Sequence, residues 1–257
     1  MTRVALVTGA ARGIGAATVR ALAADGWSVV ATDRGADDPR LPYRLGTADE
    51  LEALRTDAVV PLLADTCDAV ALAAAVALAE ERFGGLDAAV AVAGVVAGGV
   101  PLWEQPPDEV QAVLEVDLLG VVTLARVAVP ALLRRPPPRS GRFLAVASTA
   151  AVRGLPMLAA YCAAKAGVTG LVRALAVELG GTGVTANAVS PGSTDTAVLA
   201  ESARLYGLPS AQAFSAQQPL GRLLDPQEVA AALVWLAGPG AAAVTGADVP
   251  VDGGLAL

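Results

Sequence analysis

The eight residues TGAARGIG, Thr8 to Gly15, most constrain what this chain can fold into. They join a short apolar run rich in β-branched residues, RVALV, to an Ala-rich helical pattern, Ile14 to Ala24, closed by Asp25-Gly26. Gly9, Gly13 and Gly15 allow a tight strand-to-helix turn whose backbone can approach a pyrophosphate seated on the helix N-terminus. A second strand-like run, WSVVATD, ends in Asp33. A glycine-rich turn alone also fits a plain strand–helix connection, but its place after the first strand and ahead of that acid favours nucleotide binding. The acid suits the ribose diol and repels a 2′-phosphate, which favours NAD over NADP; Arg34 beside it is the opposing feature.

The alternation continues to the end of the chain. A polar stretch, Arg34 to Gly46, is longer than such connections usually are. Thr47 with Glu50 reads as a capping box. AVVPLLAD and LDAAVAVAG predict the third and fourth strands, separated by a helix over Asp68 to Arg82. A long helix runs from Pro107 to about Leu133, with Pro130 bending or shortening its last turns. GRFLAVAS predicts a fifth strand, Leu158 to Leu179 a long helix, and GVTANAVSPG a sixth strand. Helical pieces fill 196–217, Asp225 caps a helix to Ala237, and VTGADVPVDGG closes the chain as a seventh strand. This pattern predicts an α/β fold, a doubly wound sheet of seven parallel strands with helices on both faces. No internal repeat or second-domain boundary is visible, so 1–257 reads as one domain.

The 257 residues contain no histidine and two cysteines, Cys67 and Cys162. That excludes a Ser-His-Asp triad and the usual zinc and disulfide frameworks, so the expected metal content is none. The net charge of −7 argues against a nucleic-acid partner. No window reads as a membrane-spanning helix, because the longest apolar stretch, Ala88 to Trp103, is broken by glycines and Pro101. Without a signal-peptide pattern at the start, the cytoplasm is the expected compartment.

Protons must therefore be moved by carboxylate, Tyr, Lys or Cys. Lys165 is the only lysine; every other basic residue is arginine. It follows Tyr161 by one helical turn in YCAAK, so the two share a face. An isolated tyrosine, with a pKa of about 10, is a poor acid/base at neutral pH. A neighbouring ammonium would stabilise the phenolate and bring that pKa down, letting Tyr161 protonate a carbonyl or deprotonate an alcohol. The bland alternative, a half-buried tyrosine beside an exposed lysine, requires a coincidence of roughly one in 85 given three tyrosines in the chain. Ser148 falls at the C-terminal end of the fifth strand, where open α/β sheets place their ligands, and could hydrogen-bond the substrate oxygen.

Together these residues resemble the short-chain dehydrogenase/reductase family over essentially the whole chain. TGAARGIG, Asp33, AD at 64–65, AG at 93–94, Ser148, YCAAK at 161–165, NAVSPG at 187–192 and VDGG at 251–254 fall in that family's order and spacing. The resemblance implies a Rossmann-type fold and NAD(P)-dependent interconversion of an alcohol and a ketone, with Ser148, Tyr161 and Lys165 as the catalytic core. Asp65 would meet the adenine, and Thr194 and Thr196 the nicotinamide carboxamide. The cofactor set would also include Arg12, Ile14, Arg34, Thr66, Val92, Ala93, Gly94, Pro191 and Gly192, with Tyr161 and Lys165 at the nicotinamide end. Two departures stand out. Asp117, in VDLLG, occupies the place of an asparagine that usually anchors a water beside the lysine, and AVAG at 91–94 replaces NNAG. An aspartate could hold that water or pair with Lys165.

The substrate side is expected to be apolar, drawing on Val95, Val96, Leu155, Met157, Leu199, Tyr206 and Phe214, with 196–217 as a substrate-loop segment. Each of these also fits ordinary core or lid packing. The expected substrate is a small apolar alcohol or ketone. The family usually assembles as a homotetramer on its two long helices, a homodimer being the smaller alternative. The loop sequence DDPRLPYRLGT, together with PRSGRFLAVAS and LPMLAAYCAAKAGV, resembles a branch associated with mycofactocin, a peptide-derived redox carrier, in which NAD stays bound and is reoxidised in place. A ketoreductase of secondary metabolism uses the same residues. A catalytically silent nucleotide-sensing scaffold is the non-enzymatic alternative, opposed by the intact serine, tyrosine and lysine.

Overall fold

The computed structural model describes residues 2–257. Seven strands form one all-parallel sheet in the order β3-β2-β1-β4-β5-β6-β7. They are β1 (Val4–Thr8), β2 (Ser28–Asp33), β3 (Val59–Leu63), β4 (Ala88–Ala91), β5 (Arg142–Val146), β6 (Thr185–Pro191) and β7 (Asp248–Val251). β1, β4, β5 and β6 are buried along their whole length, as strands covered on both faces must be. The helices are α1 (Gly13–Ala24), α2 (Ala48–Glu52), α3 (Ala69–Phe83), α4 (Pro107–Leu114), α5 (Gly120–Arg134), α6 (Ala159–Glu178), α7 (Ala197–Leu205) and α8 (Pro226–Ala237).

Two apolar layers flank the sheet. On one face, α3, α5 and α6 bring Leu72, Leu124 and Val172 onto Leu6, Phe143 and Ala186. On the other, α1 and α8 bring Val19, Leu22, Leu233 and Leu236 onto Val7, Val29 and Leu144. The strand order turns around β1: the chain runs outward through β2 and β3, then crosses back to β4 on the other side. The C-terminal ends of β1 and β4 therefore part into the crevice where doubly wound sheets bind ligands.

The expected caps form. Thr47 and Glu50 complete a capping box, and Asp225 with Glu228 forms another ahead of α8. Three expectations need correction. α5 runs unbroken through Pro130 to Arg134, so that proline does not shorten it. Between α4 and α5 the backbone forms a π-helical turn, Glu115–Leu119, with no signal in the sequence pattern. Finally, Pro107–Arg134 and Ala159–Glu178 are each long and apolar enough, by length and composition, to cross a membrane. Their Ala, Val and Leu residues serve sheet packing, with Val121, Leu124, Val168 and Val172 in the core.

Candidate active site

One cavity of about 590 Å³ lies along the C-terminal ends of the strands. At its first end, Gly9 and Gly13 have φ of +66° and +56°, the left-handed region open to glycine. A Cβ on Gly9 would press into the Ala93 backbone, and one on Gly15 would collide with the Gly9 carbonyl. The turn is thus closed against β4, leaving its amides at the start of α1. A Cβ on Gly13 would instead approach Thr196 Cγ2, at 3.3 Å, across the cavity. Glycine keeps that space clear for a ligand.

Asp33, at the end of β2, accepts from Ala11 N at 3.0 Å and from Gly35 N at 3.2 Å. Those bonds orient its carboxylate and leave lone pairs for two further donors, as a ribose diol requires. Arg34 is tied to Asp38 at 2.9 Å and to Asp65 at 3.5 Å. A guanidinium held between two acids is a poor receiver for a 2′-phosphate. The arginine that opposed NAD in the sequence thus supports it in the fold.

The stretch Arg34 to Gly46 crosses this end of the cavity. Asp38 is buried, and its bonds to Arg40 hold its carboxyl far below the usual carboxylate range. Arg40 continues to Glu115 at 2.6 Å, linking the loop to the π turn. Tyr43 Oη accepts from Val96 N at 2.9 Å, and Arg12 donates to the Arg44 carbonyl at 2.6 Å. Tyr43, Leu45 and Gly46 line the cavity, and the sequence alone did not single them out. The unusual length of the loop was the available signal.

The end expected to be catalytic is assembled from three elements. Ser148 follows β5, Tyr161 and Lys165 occupy successive turns of α6, and Asp117 sits in the π turn. Lys165 and Asp117 are 3% and 0% exposed. The lysine ammonium lies 3.3 Å from Asp117 Oδ2 and donates to the Val146 carbonyl at 3.2 Å. Asp117 Oδ1 accepts from Val95 N at 2.7 Å, while Oδ2 faces the ammonium and, among the described residues, no other donor. The ammonium is 5.6 Å from the centre of the Tyr161 ring. A Cβ on Gly94 would fall 3.4 Å from the lysine Nζ, so that glycine keeps the β4 end open toward it.

The electrostatics differ from the expectation for Tyr161. Burial pushes the phenol above its ordinary value; Lys165 pulls it down, Asp117 pushes it up and Ser148 favours the phenolate, leaving it raised. The sequence predicted the opposite sign because it left out the desolvation of the site. Burial also raises Asp117, against the pull of Lys165 and the Val95 amide. Lys165 loses by burial but gains more from Asp117 and Tyr161, and stays above its ordinary value. Asp117 therefore pairs with Lys165, one of the two roles left open by the sequence.

All the expected cofactor residues line this cavity: Gly9, Arg12, Gly13, Ile14, Gly15, Asp33, Arg34, Asp65, Thr66, Val92, Ala93, Gly94, Tyr161, Lys165, Pro191, Gly192, Thr194 and Thr196. Thr196 is also the N-cap of α7, accepting from Leu199 N at 3.3 Å. Val95, Leu155, Leu199, Tyr206 and Phe214 line the far end, but Val96 and Met157 do not. Val96 is buried away from the cavity with its amide on Tyr43. Met157 adopts φ +60° and is turned outward, its carbonyl accepting from Gly99 N at 3.1 Å. Ser193, Val198, Ser202, Leu208, Gln217, Arg153 and Leu255 line the cavity as well and were not foreseen.

A family model described as enoyl-(acyl carrier protein) reductase matches residues 9–256. This chain belongs to the short-chain dehydrogenase/reductase family. It is 40% identical over 256 residues to the cis-4-hydroxycyclohexanecarboxylate dehydrogenase of Sinomonas cyclohexanicum, covering 98% of this chain and 96% of that one. Carveol dehydrogenase from Mycobacterium avium, solved in complex with NAD, superposes with a TM-score of 0.91 at 30% identity over 98% and 97% of the two chains. The 3-ketoacyl-(acyl-carrier-protein) reductase of Brucella melitensis, complexed with NADH, gives 0.87 at 30% identity, covering 99% and 98%. For a member of this family, the sheet order, the glycine turn and the tyrosine–lysine pair found here form one continuous site.

Proposed function

We propose that the chain is an NAD-dependent dehydrogenase interconverting a secondary alcohol and a ketone. The observation that carries the reading is the single cavity joining the glycine turn and Asp33 to Ser148, Tyr161 and the buried Lys165. NAD supplies a hydride acceptor and, when oxidised, a positive charge near the phenol. The residues fit it: the α1 amides and glycine turn would hold the pyrophosphate, Asp33 the adenosine ribose and Asp65 the adenine edge. Thr194 and Thr196 would face the carboxamide.

The chain's own groups would move the proton. Ser148 orients the substrate oxygen toward the Tyr161 hydroxyl, and the phenolate takes the alcohol proton at Oη. Lys165, fixed by the Val146 carbonyl and Asp117, stabilises that phenolate. The apolar walls at Val95, Leu155 and Phe214 exclude water around the reacting carbon.

The narrower features extend the same reading. We read 1–257 as one domain, with 196–217 as its substrate segment. The pinned loop 34–46 supports slow exchange of NAD, and with it membership of the mycofactocin-associated branch, where that carrier reoxidises the bound cofactor. Leu119 and Val177, exposed on the two long helical segments, supply apolar surface for a homotetramer, and the cytoplasm is the proposed compartment.

The test is to purify the protein, identify any retained dinucleotide by mass spectrometry, and follow NADH absorbance with a panel of cyclic secondary alcohols. The expected result is NAD-specific oxidation, or retained NAD reduced once per site without turnover on added NAD. Equal use of NADP, or no reduction of either bound or added cofactor by any alcohol, would overturn the reading.

A further inference from the structure

Every charged side chain that lines the cavity has an evident task except one. Arg12, Asp33, Arg34 and Asp65 belong to the dinucleotide end, and Asp117 pairs with Lys165. Arg153 remains. It lines the far end among Leu155, Leu158, Val198 and Phe214, and among the described residues no carboxylate lies within 4.0 Å of it.

Its backbone is tied to the catalytic helix. Cys162, the residue after Tyr161, has its thiol 3.8 Å from the Arg153 carbonyl, and its sulfur accepts from Leu155 N at 3.4 Å. Arg153 N donates to the Thr149 carbonyl at 2.9 Å, within the turn that Ser148 caps. One guanidinium nitrogen donates to the Leu255 carbonyl, and the others are free to donate. The position is therefore fixed relative to Ser148 and Tyr161, and the side chain is exposed on a cavity wall that carries Leu155, Leu158, Val198 and Phe214 alongside Ser202 and Gln217.

We infer that Arg153 is a specificity residue that receives a carboxylate on the substrate, making the substrate class an apolar secondary alcohol that carries an acid group remote from the reacting carbon. The inference rests on the dehydrogenase reading of this cavity. A guanidinium presents paired N–H donors in the geometry that a carboxylate accepts, and its charge would select the acid over a neutral alcohol of similar shape. The apolar walls between Arg153 and Tyr161 would take the hydrocarbon body and fix which carbon faces the phenol.

The experiment compares 4-hydroxycyclohexanecarboxylate with 4-methylcyclohexanol as substrates for the NAD-saturated wild type, Arg153→Gln and Arg153→Lys. The wild type is expected to prefer the acid. Arg153→Gln should lower the acid-to-alcohol ratio of kcat/KM roughly 10-fold, mainly through KM, with Arg153→Lys restoring part of it. In parallel, calorimetric binding of cyclohexanecarboxylate to the NAD-saturated proteins should be detectable in the wild type and weakened in Arg153→Gln. An unchanged ratio, or wild-type preference for the neutral alcohol, overturns the inference, as does absence of carboxylate binding. Arg153-dependent carboxylate binding without turnover of either alcohol would uphold the anion site and reject the dehydrogenase reading instead.

Discussion

At the end of the cavity proposed for the dinucleotide, the lining groups are largely backbone: the glycine turn, the α1 amides and the strand ends around Ala93 and Gly192. At the catalytic end they are side chains, arranged around one ion pair that is almost wholly out of water. The first end reads shape and phosphate charge, and tolerates change wherever the backbone keeps its path. The second depends on the balance of three charges, so a single substitution can alter its chemistry and leave the fold intact. Charge is handled differently as well. Around the dinucleotide the ion pairs Arg34–Asp38 and Arg40–Glu115 are partly exposed and hold a loop, whereas Asp117–Lys165 is enclosed and sets a proton affinity.

The largest expected effect separates the two ends. Tyr161→Phe removes the proposed proton carrier without touching the glycine turn or Asp33. Turnover should fall by about 10³-fold, within the range for loss of a general acid/base, while NAD affinity and melting temperature stay close to wild type. Steady-state kinetics together with NAD calorimetry would check this. Substantial turnover in the variant would mean that the proton leaves by another route.

The next probe acts on the dinucleotide end. Arg40 bonds Asp38 and Glu115 at once, so Arg40→Ala leaves Asp38 buried with Arg34 as its remaining cationic partner. The expected destabilisation is about 2 kcal/mol, from the loss of hydrogen bonds between charged groups. NAD should dissociate faster, seen by stopped-flow displacement, while the chemical step measured in a single turnover changes little. Asp38 also predicts a pH dependence. Its folded pKa is lowered by Arg40, so its stabilising contribution is complete above the ordinary carboxylate range, declines progressively as pH falls below that range and is gone only below the folded value. The melting temperature of the wild type should therefore fall with pH once below that range, and Arg40→Ala should flatten that part of the pH dependence.

The difference between the two ends also governs what could be read from the sequence. Glycines, caps and strand ends are local, which is why TGAARGIG, Asp33 and the box at Thr47 were legible. Tyr161 and Lys165 could be proposed because the chain has no histidine and one lysine, and Ser148 because it ends a strand; the structure brings the three to one cavity. Contacts made across the fold were not. Nothing local to Arg34 announces that Asp65 joins the neighbouring Asp38 in occupying it, and nothing local to Tyr43 announces its reach to Val96. Val95 lines the cavity while Val96 is buried away from it with its amide on Tyr43, a division between neighbours past the end of β4 that no local pattern announces. The raised Tyr161 needed the burial of the site, and burial is a property of the assembled layers.

The smallest and most discriminating probe is Asp117→Asn. In the oxidation direction, the rising limb of kcat/KM with pH reports the loss of the phenol proton. Asp117 raises Tyr161 and also shares the field of Lys165. The amide removes that charge, and its oxygen can still accept from Val95 N. If Lys165 stays charged, its field falls on Tyr161 undivided and the limb moves to lower pH, by about one unit for 1.4 kcal/mol of interaction. If burial instead strips the proton from a lysine that has lost its carboxylate, the phenolate loses its cation and the limb moves to higher pH. The direction of the shift thus decides whether Asp117 tempers Lys165 or keeps it charged. A large loss of turnover across the whole pH range, with melting temperature and NAD binding unchanged, would mean that the carboxylate does more than fill the place of the family asparagine.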